Sequence, residues 1–423
     1  MRIICVPHEQ IPACIDDDTI FFSLYHAVPR ASERLGHIAP SFFNDINRKR
    51  IRPSVAALDF ATLAFSVAAA DESVPRNQCV DGWTRVIDLT VALINPVPWQ
   101  PILAEFQSTL HYLSGDYWNL HVVDGGTAPN YRGETTTIEV DCVCLLSGGT
   151  DSLIGAIDLV EQAHNPIFIS RIVRGDCNAQ KMFANRLGPE RNHYQWRCSI
   201  NRPRGLSEPS TRARSLIFFA FAAIAASSFQ ATDAPIPIIV PENGFISLSI
   251  PLSPSRIGSL STKTTHPIYM NGIQRVFDAV GIQALLQLPY RFMTKGEMIL
   301  ECKNQQLLKE LIDDSISCGK YRRHNYCHCG VCIPCLVRRA AYLHSGLCDN
   351  TRKGYKSTPS QHSISEDTMA AACAVLRYRQ QGTKGLTCGT LAFSTDTERS
   401  AYEGVFERGL QELEVLLKEC GVI

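Results

Sequence analysis

Between residues 137 and 288 strand-like and helix-like segments take turns, and that alternation limits the folds open to the chain more than any other feature. "TIEVDCVCLL", "PIFISRIV", "RNHYQWRCSI" and "PIPIIVPENG" are short, apolar and rich in β-branched residues. Between them lie "DSLIGAIDLVEQA", "NAQKMFANRLG" and "TRARSLIFFAFAAIAASSF", whose apolar residues recur at helical spacing. Strands separated by helices predict an α/β fold built on a doubly wound parallel sheet. Sheets of this kind take their ligands at the carboxyl ends of the strands.

The first such end carries "SGGTDS", Ser147 to Ser152, directly before a helix. Backbone N–H groups at a helix N-terminus make an anion site. Gly148 and Gly149 let the main chain approach a phosphate with no side chain in between. Ser147 and Ser152 add hydroxyl donors. A second reading stands beside this one: Thr150, Asp151 or Ser152 could simply cap the helix. The spacing is not that of a Walker loop, because no Gly-Lys-Ser/Thr follows, and it is not Gly-x-Gly-x-x-Gly.

Composition narrows the class. With 45% hydrophobic and 19% charged residues, the 423-residue chain has core enough for two or three domains. A formal net charge of zero argues against a general nucleic-acid partner. The N-terminus lacks the apolar core of a signal peptide. The longest apolar run, Leu216 to Ser228, is shorter than the ~18 residues that a membrane span needs, so it reads as a buried helix. Seventeen cysteines, many within apolar segments, suit reduced thiols in the cytoplasm.

One group of cysteines stands apart. "SCGKYRRHNYCHCGVCIPC" holds Cys318, Cys327, Cys329, Cys332 and Cys335. Cys329, Cys332 and Cys335 are spaced to wrap one ion, and four thiolates make a closed structural zinc site. The fourth ligand is open between Cys318, Cys327 and His328. A redox Cys-x-x-Cys or an iron–sulfur centre is the rival chemistry.

Strand, Ser-Gly-Gly-x-Asp-Ser and helix together resemble the N-type ATP pyrophosphatases, the PP-loop superfamily. Joined to Cys, a spacer and Cys-Gly-x-Cys-x-x-Cys, they resemble the 7-cyano-7-deazaguanine synthase (QueC) family. The resemblance implies an adenine-nucleotide alpha-hydrolase-like (HUP) core, with ATP and Mg2+ at Ser147, Gly148, Gly149, Thr150, Asp151 and Ser152. It also implies Zn2+ on Cys318, Cys329, Cys332 and Cys335, although the first two are two residues further apart than in that family. "FMTKGEM" matches a family segment that would bring Lys295 to the ATP phosphates, making Asp151 and Lys295 the catalytic pair. "TRARSLIFF" places Arg214 where the family has a nucleotide-binding arginine. Glu242, Asn243 and His266 fall where a deazapurine would be read, but the acids of the family's substrate segment are missing here.

The resemblance covers residues 138 to 345. It implies an ATP-binding domain over 138–290 and a zinc subdomain over 291–346, with a mixed α/β domain over 1–130 before them and a helical extension over 347–423 after them. A QueC-like core with long additions at both ends is similar to QatC-type components of antiphage defence systems. That likeness implies a carbon–nitrogen ligase that adenylates a carboxylate and passes it to an amine, with a partner protein from the same system. A nucleotide-binding scaffold without ligase activity is the alternative.

Overall fold

The computed structural model describes residues 2–28, 32–136, 138–229, 234–252, 263–360, 365–387 and 390–423. It is a mixed α/β protein with parallel pairing. The chain forms two compact units, each assembled from discontinuous segments. The first comprises Met1–Val143, Tyr194–Ile238 and Thr262–Leu286; the second comprises Cys144–His193, Ile239–Ser261 and Gln287–Ile423.

Eleven strands are described: β1 (Arg2–Pro7), β2 (Thr19–Leu24), β3 (Leu35–Ile38), β4 (Val86–Leu93), β5 (Tyr117–Asp124), β6 (Cys142–Leu145), β7 (Pro166–Arg171), β8 (His193–Trp196), β9 (Ile200–Asn201), β10 (Ile236–Ile239) and β11 (Ala284–Gln287). A six-stranded sheet runs β5-β4-β1-β2-β3-β9, and a five-stranded sheet runs β11-β10-β6-β7-β8.

The six-stranded sheet belongs to the first unit. Its pairs are parallel except β3–β9. β2 is buried at all six positions, as expected of a central strand in a parallel sheet. Two helices of this unit, Val55–Ser73 and Leu216–Ser228, pack on each other. Alanines and phenylalanines surround both axes, so neither has a polar face to turn outward. Ser54 starts the first by accepting the Ala57 N–H. Phe65 and Phe221 meet edge-on, their ring centroids 5.7 Å apart. The run Leu216–Ser228 is thus a buried helix, as its composition predicts.

In the second unit the helix Thr150–Glu161 follows β6, and Cys177–Leu187 follows β7. β6 is shorter than "TIEVDCVCLL" suggests, because among the described residues of that segment only Cys142–Leu145 are strand, Thr137 lying outside the described residues. At the C-terminal end, Ile333–Ser345, Glu366–Gln381 and Asp396–Glu419 share one apolar core. Val405, Leu410, Leu413, Leu416 and Leu417 lie in it at helical spacing. Ala401 is only half-buried, and the adjacent Tyr402 takes the core position. Among the described residues no helix is long and apolar enough to cross a membrane.

Candidate active site and metal centre

The turn after β6 is shaped by its glycines. Gly148 has a φ of +92°, a left-handed conformation open to glycine and strained for other residues. Its carbonyl accepts the Ile316 N–H at 2.9 Å, and Gln180 Nε2 donates to the Ser147 carbonyl at 3.0 Å. Gly149 is the N-cap of the Thr150–Glu161 helix, and no side chain caps that terminus. The reading in which Thr150, Asp151 or Ser152 serves as the cap is therefore not what the chain adopts. The first-turn N–H groups have no intrahelical acceptor, so the terminus keeps its pull on an anion. Ser147 Oγ and Ser152 Oγ are 3.1 Å apart, and Ser152 also donates to the Gly149 carbonyl at 3.0 Å.

Asp151 is buried in the first turn of that helix. Lys295, buried at the start of the Lys295–Glu301 helix, forms an ion pair with Asp151 Oδ1. Asn243 donates to Asp151 Oδ2 from its side chain at 2.7 Å and from its main chain at 3.3 Å. The amide oxygen of Asn243 caps its own helix by accepting the Ile246 N–H at 3.0 Å. Its oxygen and one N–H are thus committed within the protein. Glu242, next in the chain, is half-buried, and its ionisation is pushed up to about 8 by burial and then by the negative charge of Asp151, while Lys295 opposes the shift. The carboxyl of Glu242 is therefore largely protonated near neutrality, beside the Asp151–Lys295 contact.

Lys295 is itself held firmly. Thr294 and Glu297 form a capping box at its helix, and Thr294 Oγ1 also donates to the buried carboxylate of Glu412. Arg408 pairs with Glu297 and donates to the Phe292 carbonyl at 2.8 Å. Glu412 and Arg408 both come from the Asp396–Glu419 helix.

Arg338 was not singled out by sequence reasoning. It is fully buried and donates to Thr150 Oγ1 at 2.9 Å, Ser315 Oγ at 2.6 Å and the Ile312 carbonyl at 3.0 Å. It ties the first residue of the loop helix to the segment leading into the cysteines. Its position three residues after Cys335 is the one signal the sequence offers, and it does not tell a buried arginine from an exposed one. A cavity of about 650 Å³ lies on the same side, lined in part by Arg174, Asn178, Ile316, Tyr321, Tyr326 and Lys353. Asp176, near Gly148 in this region, has its carboxyl pushed up to about 6 by burial.

Four thiols, those of Cys318, Cys329, Cys332 and Cys335, cluster with every sulfur within 4.8 Å of the others. The Cys318–Cys332 and Cys329–Cys335 separations are 3.9 and 3.8 Å. Zinc–sulfur bonds near 2.3 Å in a tetrahedron imply sulfur–sulfur edges of about 3.8 Å. The cluster therefore fits a tetrahedral ion such as zinc. Main-chain N–H groups of Cys329 and Lys320 donate to Cys318 Sγ at 3.4 Å, which favours the thiolate. Gly330, with φ at +84°, makes the turn between ligands. Cys327 is turned elsewhere, toward the Lys353 and Gly354 carbonyls at 3.5 and 3.4 Å, and His328 Nε2 accepts the Ser317 N–H at 3.2 Å. The open choice of fourth ligand thus falls to Cys318.

Asp151, Lys295, Glu242 and Asn243 come together at the Ser147–Ser152 loop. Arg214 and His266 belong to the first unit. Arg214 is exposed in the short turn Ala213–Ser215. His266 is buried as the N-cap of the Pro267–Val280 helix, its Nδ1 accepting the Ile268 N–H at 3.2 Å. Burial, and then the charge of Lys263, lower its ionisation to about 3, so the ring is neutral. No family profile, curated protein or solved structure matches this chain.

Proposed function

We propose that the protein is an ATP-dependent carbon–nitrogen ligase of the 7-cyano-7-deazaguanine synthase type, with a HUP-like core, acting in the cytoplasm as part of an antiphage defence system. The observation that carries this reading is the uncapped helix N-terminus behind a left-handed glycine, with a buried lysine beside it. Main-chain N–H groups at Gly149 and Thr150 would hold the β,γ-pyrophosphate of ATP. Ser147 and Ser152 would rotate their hydroxyls toward it. Lys295 would neutralise the charge that builds on pyrophosphate as it leaves. Mg2+ would be held through Asp151 and would supply further neutralisation, while zinc on the four cysteines would fix the fold and take no part in the chemistry. The cavity lined by Tyr321, Tyr326 and Arg174 offers aromatic and cationic walls to the rest of the nucleotide.

In the reaction a substrate carboxylate oxygen attacks the α-phosphorus of ATP, and the bond from that phosphorus to the bridging oxygen breaks. Pyrophosphate leaves and an acyl-adenylate forms. An amine nitrogen then attacks the acyl carbon, AMP leaves with the bonding pair, and the amine gives up a proton. The carboxylate is that of a 7-carboxy-7-deazaguanine-type base, with Glu242 and Asn243 nearby; the amine belongs to ammonia or to a partner protein.

The test uses α-labelled ATP, Mg2+ and 7-carboxy-7-deazaguanine, with and without co-expressed neighbouring proteins. Formation of AMP with a new amide, with the nitrile that follows when a second ATP adenylates the amide oxygen and that oxygen leaves with AMP, or with a heavier partner protein, is the expected result. Nucleotide binding without AMP release would overturn the ligase and leave a nucleotide-binding scaffold.

A further inference from the structure

The first unit holds a buried ion cluster that is short of negative charge. Asp71 and Asp116 are fully buried, and they neutralise Arg85 and Arg76. Arg85 Nη2 reaches Asp71 at 2.5 Å and Asp116 at 2.6 Å, and Arg76 meets Asp116 through two bonds of 2.7 and 2.8 Å. Glu208 is spent on the main-chain N–H groups of Arg76 and Ser210. Two further cations enter the same region. Arg212 is 6% exposed, and Lys263 lies over the Tyr112 ring with its ammonium 4.1 Å from the centroid. Four cations therefore face three carboxylates. Among the described residues no carboxylate forms an ion pair with the side chain of Arg212 or Lys263.

The hydrogen bonding of Arg212 is equally incomplete. Its Nη1 donates to the Ser114 carbonyl at 2.5 Å, and its guanidinium lies over the Trp83 ring, 4.8 Å from the centroid. Nε and Nη2 are buried without an acceptor. These two nitrogens share the edge of the guanidinium that meets a carboxylate or phosphate with two parallel bonds. An unmet pair of donors on a buried charge is costly unless something completes it. Lys263 gives a second sign: burial and then the charge of Arg212 hold its ammonium below the ordinary lysine range. The N-terminus of the Pro267–Val280 helix, four residues after Lys263, adds a favourable dipole.

We infer that Arg212 and Lys263, walled by Trp83 and Tyr112, form a binding site in the first unit for a small-molecule oxyanion, either a carboxylate or a phosphate. The oxyanion takes the Nε–Nη2 edge of Arg212 and the ammonium of Lys263, and brings the missing negative charge. Because neither nitrogen is open to solvent, the Trp83 ring, 36% exposed on a turn at Gly82, shifts as the anion enters. The inference is independent of the ATP reading.

The experiment is carbon-13 NMR of the full chain after reductive methylation of its lysines, with the Lys263 signal identified by its loss in Lys263→Arg. Sodium phosphate and sodium benzoate are titrated separately at constant ionic strength. A saturable shift of the Lys263 signal is expected. A response to phosphate alone identifies a phosphate-bearing ligand, and a response to benzoate alone identifies a carboxylate. Arg212→Lys, which keeps the charge but loses the planar edge, should weaken the effect about tenfold or more. Should that variant not fold, Lys263→Met with tryptophan emission as the readout should show the same weakening. No saturable shift in the wild-type chain, or an unchanged one in these variants, overturns the site.

Discussion

Replacing Lys295 by methionine leaves the Asp151 carboxylate buried and without its counter-charge. Breaking a buried pair from one side costs about 3–5 kcal/mol. Asp151 keeps the Asn243 N–H at 3.3 Å and the Asn243 amide at 2.7 Å, so the lower end, about 3 kcal/mol, is expected. Two units of discontinuous chain make global unfolding a poor probe. Hydrogen exchange of the peptides covering Thr150–Glu161 and Lys295–Glu301 reads the loss locally. A cost of about 3 kcal/mol speeds exchange there roughly a hundredfold. Lys295→Met with Asp151→Asn removes both charges and should recover most of that protection. AMP release should fall about 10²–10³-fold in the single variant, the loss typical of a removed charge-stabilising group. Exchange rates within a few-fold of wild type in Lys295→Met would refute the argument. So would a double variant that exchanges as fast as the single one.

Three other outcomes follow from the same geometry. Gly148→Ala forces a Cβ onto a φ of +92°, costing about 1–2 kcal/mol, and isothermal titration should show ATP bound roughly tenfold more weakly. Cys329→Ser should lose zinc by elemental mass spectrometry and Cys327→Ser should keep it, since Cys327 lies outside the four-thiol cluster. Glu242 ionises near 8 when folded against an ordinary 4.5, so across that window the folded chain holds a proton that the unfolded chain has released. Its contribution is complete below pH 4.5 and is lost as the pH rises toward 8. Exchange from the second unit should therefore quicken with pH beyond its intrinsic dependence, and Glu242→Gln should flatten that trend.

Sequence carried the local features well and the assembled ones poorly. The strand, the glycine turn and the helix at 142–161 are legible because each depends on neighbours a few residues away. The cysteine cluster is legible for the same reason; spacing alone leaves its fourth member open between Cys318, Cys327 and His328, and the family resemblance points to Cys318, which the cluster contains. Glu412, Arg408 and Arg338 were not legible as parts of the site, because each reaches its partner across a long stretch of chain. A buried arginine has the same letter as an exposed one. The strands β1, β2 and β3 were missed as a sheet, because segments of four to six residues carry little periodic signal. Asn243 was anticipated near the site as a substrate contact, and its amide is engaged mainly by Asp151 and by its own helix.

Arg338 and Cys335 ride on one rigid helix, a single turn apart. Were the four thiols to hold zinc and the loop to hold ATP, as proposed, metal supply and nucleotide capture would be geared together through this helix. Stripping the metal would loosen the helix, let Arg338 drift from Thr150, and blunt the loop. Chelated protein should bind ATP more weakly, and Arg338→Met should reproduce that weakness with zinc still in place. On the proposed function, a shortage of the metal would then act on the loop through Arg338 and leave the loop's own residues unchanged.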